Sequence, residues 1–144
     1  HTAYRRQRQM CIRDSSLSAP LDKIQIVKGW TEDGNEKEVV YDVVCSDDRE
    51  INSRKNRCKP TKAKVDFDNC SFNENFGADR LEVFWTDEKY SFDQNAFYYV
   101  RAIENPTCRW STYDSIRIDE KPSKNYPKIM REMAWSSPIW IKNN

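Results

Sequence analysis

Residues 96–118 read AFYYVRAIENPTCRWSTYDSIRI, and the fold turns on how this stretch is read. Residues 96–103 form a nearly unbroken apolar and aromatic run, which predicts a central β-strand. Pro106 lacks an N–H and blocks its continuation, so a corner is expected at Asn105-Pro106. Ser111-Thr112-Tyr113-Asp114 resembles a capping box with Asp in place of Glu. It predicts a short helix near residues 111–117, capped by Ser111 and running about two turns to Ile116 or so. Nothing in the stretch assembles a recognisable catalytic group.

Working outward, residues 21–27 (LDKIQIV) alternate, with Ile24 and Ile26 facing one way and Lys23 and Gln25 the other. This predicts a half-buried strand that Gly29-Trp30 terminates. Asp33-Gly34 is a turn dipeptide. Residues 38–45 (EVVYDVVC) read as the returning strand of a hairpin, with both sides covered. Residues 46–64 carry seven Lys or Arg and read as a long surface loop. Residues 65–71 suggest a short strand. Residues 80–85 alternate, with Leu81, Val83 and Trp85 inward. Residues 120–128 hold two prolines and read as loop, residues 129–134 are ambiguous, and residues 135–141 (WSSPIWI) read as an edge strand because of Pro138. The expected fold is mainly β, an antiparallel β-sandwich-like domain with one short helix and long loops.

The first fifteen residues, HTAYRRQRQMCIRDS, stand apart. RRQRQMCIRDS resembles translated sequencing-adapter sequence of the kind found at the ends of metagenomic gene predictions, and the segment is expected to be disordered; a basic arm is the alternative. It contributes a charge of +3, leaving 20 basic and 22 acidic side chains in residues 16–144. A net charge of −2 leaves no basic face for nucleic acid. The only histidine, His1, also lies in this segment, so the domain lacks the side chain best suited to metal ligation and to proton transfer near neutral pH. No apolar run approaches the ~20 residues of a membrane span.

Four cysteines remain: Cys45, Cys58, Cys70 and Cys108. Their spacings fit no zinc-ribbon or zinc-finger pattern. Of the three pairings four cysteines allow, Cys45–Cys58 would close the basic loop and Cys70–Cys108 would tie the middle of the domain to the corner. Such bridges imply an oxidising compartment; four reduced, buried thiols are the alternative. Asp66 and Asp68 lack the rest of a calcium loop and read as solvated charge. Glu82, Asp87, Glu104, Asp114 and Glu132 are acid–base candidates by type alone. Trp30, Trp110 and Tyr113 could stack on a sugar, although tryptophans in a β domain more often pack the core. Asn69-Cys70-Ser71 fits a glycosylation sequon, a frequent chance match. Arg109, at a rigid corner, could hold a carboxylate, with the internal partner Asp114 preferred over a ligand.

LDKIQIVKGW, the VYDV–SDDR run, WTD, AFYYVRAIENPTCRWSTYDSIRI and MAWSSPIW occur in an order and spacing that resembles the C-terminal region of the domain-of-unknown-function family numbered 3604. The resemblance spans residues 21–140. Its members with a Cys-Arg-Trp corner tend to carry cysteines at positions like these four. They are large bacterial proteins, often exported, whose earlier part resembles the polymerase-and-histidinol-phosphatase (PHP) class of metal-dependent hydrolases. The resemblance implies a periplasmic or extracellular accessory domain. Its partner would be an N-terminal (β/α) barrel lying outside this sequence, and the divalent metal ions of the parent hydrolase would sit in that barrel. No His-x-His or other ligand motif of that class is present here, so no catalytic, cofactor-binding or metal-binding residue carries over. The corner Arg109, Trp110, Tyr113 and Asp114 could wall the active-site mouth. Arg131-Glu132-Met133-Ala134 replaces the family's usual Gln-Glu-Arg-Ala, which removes an arginine at 133 that Arg131 could replace. Glu88-Lys89-Tyr90 replaces the usual Pro-Asp-Phe. The competing expectation is a free-standing exported β-sandwich that binds carbohydrate or protein through its aromatics.

Overall fold

The computed structural model describes residues 7–12, 18–92 and 94–142. It contains eleven strands and one helix: β1 (Gln7–Ile12), β2 (Leu21–Glu32), β3 (Asn35–Cys45), β4 (Ile51–Asn52), β5 (Arg57–Cys58), β6 (Arg80–Trp85), β7 (Ala96–Glu104), β8 (Thr107–Cys108), α1 (Trp110–Arg117), β9 (Ile129–Met130), β10 (Met133–Trp135) and β11 (Ile139–Ile141). The main antiparallel sheet runs β10-β7-β2-β3, with β11 also on β7, and β1 pairs with β6 in a separate ribbon. The mainly β, sandwich-like expectation agrees with this architecture.

The core lies between one face of the main sheet and β6. Ile24 and Ile26 of β2, Val43 of β3, Leu81 of β6 and Tyr98 of β7 are buried together, with Trp30, Val83 and Trp85 packed against them. The inward alternation read for β6 is therefore the alternation observed. β7 is central as expected, flanked by β2 on one side and by β10 and β11 on the other.

Several expectations need correction. β2 does not stop at Gly29-Trp30 but continues to Glu32. Glycine is tolerated in mid-strand here because the Phe97 ring lies over it, and a Cβ would come within 2.3 Å of that ring. Nor is β2 half-buried: Gln25 and Val27, on the face opposite Ile24 and Ile26, are also buried. β3 is covered only toward Cys45, and residues 35–38 are exposed. The hairpin turn is the one anticipated, with Asp33 and Gly34 both at positive φ. The loop after β3 contains a small ladder, β4 with β5, and residues 65–71 make only an isolated bridge, Val65 to Phe72.

At the C-terminus the single edge strand is two pieces. Trp135 pairs with Arg101 and Ile139 with Tyr98, so three residues oppose two across the gap. Pro138 lies in this bulge, where no N–H is required, and the Ser136 hydroxyl takes the Val100 N–H at 3.0 Å. In the leader, residues 7–12 pair as a strand with β6. The remainder of residues 1–15 lies outside the described residues.

Candidate functional site

The two ends of β7 carry the two surfaces of interest. At its C-terminal end is the corner. Asn105 is almost wholly buried and pins three segments: its Nδ2 donates to the Phe76 carbonyl at 2.8 Å, its N–H donates to the Pro20 carbonyl at 2.8 Å, and its Oδ1 accepts from Thr61. Sequence reading saw Asn105 only as a turn residue. A disulfide joins Cys70 to Cys108 immediately after it, and a second joins Cys45 to Cys58.

The helix that follows starts one residue earlier than expected. Arg109 is its N-cap in extended conformation, with no side-chain cap, so Ser111 sits inside the first turn and its carbonyl accepts from Ser115 Oγ. The expected Arg109–Asp114 pair is absent among the described residues. Arg109 precedes the helix, and five positions correspond to a rotation that leaves Asp114 on another face. The guanidinium instead lies over Tyr126, 5.3 Å from the ring centroid. Thr112 is the only buried residue of α1, whereas Trp110 and Tyr113 are 67% and 54% exposed.

Three carboxylates are committed internally. Asp22 is buried between Arg49 and Arg131, which form ion pairs with its two oxygens. Arg131 thus holds an internal carboxylate. Asp42 accepts from Lys23 at 2.8 Å, Gln25 at 2.5 Å and the Cys58 N–H at 2.8 Å. Asp87 accepts from Lys28 at 2.6 Å and from the Tyr98 hydroxyl at 2.7 Å. Lys28 is buried in a box of rings, 5.0 Å from the Trp30 centroid and within 6 Å of Tyr90 and Tyr98. Trp30 is therefore a wall of the core with an ammonium against its face rather than a free stacking platform.

Burial pushes the carboxyls of Asp87 and Asp42 up, yet their donors outweigh it and hold both below the usual carboxylate range. Burial, followed by the bond to Asp87, pushes the Tyr98 hydroxyl upward. Among the described residues, no three His, Cys, Asp or Glu are grouped to hold a metal ion, and no helix is long and apolar enough to cross a membrane.

At the N-terminal end of β7 is a groove of about 690 Å³, lined by the start of β7, the end of β11 and the β2–β3 hairpin. One row of residues crosses four strands: Glu38 opposite Gly29, Gly29 opposite Phe97, and Phe97 opposite Trp140. Directly paired residues share a face, so the four form a strip on the sheet side away from the core. Phe97 lies flat on Gly29, and Trp140 meets it at 5.1 Å and 46°. Trp140 is 63% exposed. Sequence reading missed this strip. The available signal was a glycine in a strand pattern, which marks close approach by a neighbouring ring or backbone.

No curated protein and no solved structure matches the chain. The family described as Protein of unknown function (DUF3604) matches it over residues 9–143, from β1 through β11 and including both surfaces. On that match the chain belongs to the DUF3604 family.

Proposed function

We propose that this chain is the C-terminal accessory region of a larger bacterial metal-dependent hydrolase of the PHP-like class. In this reading it docks on a preceding barrel that holds the divalent metals and does the chemistry. The observation that carries the proposal is α1. This helix buries Thr112 alone, while Trp110, Tyr113 and the adjoining Ile118 stay more than half exposed, as does Tyr126 against Arg109 at the start of the helix. Exposed rings concentrated on a rigid, disulfide-anchored corner suit a surface made to be covered. The two disulfides fit an oxidising location, the periplasm or the exterior.

The test is complementation between separately produced halves of the parent protein. The barrel half and this chain should co-purify, and Trp110→Asp with Tyr113→Lys should abolish co-purification without lowering the melting temperature of this chain. Manganese-dependent hydrolysis of a nitrophenyl phosphodiester should reside in the barrel half. Turnover by this chain alone, removed by a point change within it, would refute the assignment. Undiminished association of the double variant would refute the docking surface.

A further inference from the structure

We infer that the groove at the N-terminal end of β7 is a binding site for a neutral oligosaccharide, independent of the corner. The two ends of β7 lie about 27 Å apart, taking ~3.4 Å per residue over Ala96–Glu104.

The bed of the site is the Phe97–Trp140 pair. The rings are inclined at 46° with centroids 5.1 Å apart. A flat ligand can lie on one ring but not on both, whereas sugar rings that turn from one residue to the next can meet each in succession. Aromatic faces carry negative charge density and attract the polarised C–H groups on one side of a pyranose. Gly29 keeps the bed low: any side chain there would lift Phe97.

The rim supplies hydroxyl partners. Glu36 and Glu38, two apart on β3, face the same side as Gly29 and Phe97 through their pairing with Thr31 and Gly29. Neither carboxylate is in an ion pair among the described residues, whereas Lys37 between them is taken by Glu32. Asn95 and Lys142 line the groove from the β7 and β11 sides. Two free carboxylates against one free ammonium disfavour a polyanion, and acceptors and donors placed around stacked rings match uncharged hydroxyls.

The intact chain is titrated with hexamers of β-1,4-linked glucose, N-acetylglucosamine and mannose, and with polygalacturonate as the anionic control. Tryptophan fluorescence and calorimetry are read together. At least one neutral hexamer should bind saturably. Trp140→Ala should weaken that binding about tenfold or more and Glu38→Gln should weaken it less, both with unchanged melting temperature because both positions are exposed. Trp110→Ala, at the far end of the domain, should leave it unchanged. The proposal is overturned by any of four results: no saturation by any hexamer up to about 10 mM, equal binding by Trp140→Ala, preference for polygalacturonate, or a concentration-dependent doubling of mass that buries Trp140 against a second copy. Loss of saccharide binding leaves the docking corner standing, and loss of docking leaves the groove standing.

Discussion

Replacing Asp87 by Asn should be among the most destabilising single changes in this domain. Lys28 and Asp87 are 3% and 8% exposed at their side chains and meet at 2.6 Å. The ammonium lies against three rings, and among the described residues Asp87 is the one carboxylate it pairs with. Asparagine keeps the shape and removes the charge, leaving a buried cation uncompensated. Breaking a buried pair from one side costs about 3–5 kcal/mol. With a urea slope of about 2 kcal/mol/M, the unfolding midpoint should fall by about 2 M. Adding Lys28→Met removes the stranded charge and fills the box with an apolar chain, so the double variant should recover most of the loss. Urea unfolding followed by tryptophan fluorescence measures both, because Trp30 and Trp85 report on this part of the core. If Asp87→Asn shifts the midpoint by less than about 0.5 M, or if Lys28→Met fails to restore it, the pair is not the internal strut described.

Three further outcomes follow from the same contacts. Asp87 and Asp42 titrate lower in the folded chain than in the unfolded one. As pH falls the unfolded state takes up protons first, so stability should hold down to about pH 4, where unfolded carboxyls titrate, and then fall as pH drops toward the folded values; urea midpoints at pH 3 equal to those at pH 7 would contradict this. Removing the Cys70–Cys108 bridge, which spans 38 residues, should cost about 4 kcal/mol, against about 3 kcal/mol for the 13-residue Cys45–Cys58 bridge, as loop-closure entropy scales; serine pairs at each bridge, compared by thermal unfolding, give the order. Gly29→Ala should cost about 1–3 kcal/mol by overpacking against Phe97, while Gly34→Asn, at a positive-φ turn position with open space around it, should cost well under 1 kcal/mol.

What the sequence revealed were the features whose cause is local. The β7 run, the Asp33-Gly34 turn and the confinement of Pro138 to the edge each follow from the conformations those residues allow. The cysteine pairs join the segments proposed from their positions in the chain. What stayed hidden depends on partners far away in sequence. Lys28 is buried only because Asp87 arrives from 59 residues on, and no local pattern distinguishes it from a solvated lysine. Gly29-Trp30 resembled a strand end because glycine weakens strands; the compensation comes from Phe97, 68 positions later. Arg109 was matched to its neighbour Asp114, but the proline-containing loop brings Tyr126 beneath it instead.

Shifted carboxyl groups often mark active sites, but they also arise in structural ion-pair networks, and here the donor count decides between the two. Asp87 accepts from a lysine and a tyrosine, with the Lys89 N–H on its second oxygen; Asp42 accepts from a lysine, an amide and a backbone N–H; Asp22 holds two arginines. Each of the three is already held by protein donors, and the lowered pKa of Asp87 and Asp42 makes those two poor bases. These three groups therefore act as rivets, clamping β2 to β3, to the segment after β6 and to the C-terminal loop. The rings on the outer surface have no comparable commitment. Trp110 and Tyr113 at one end of β7, and Trp140 at the other, are held by well-anchored backbone yet remain exposed to water. It is on those exposed rings, rather than on the buried carboxylates, that both proposed surfaces rest.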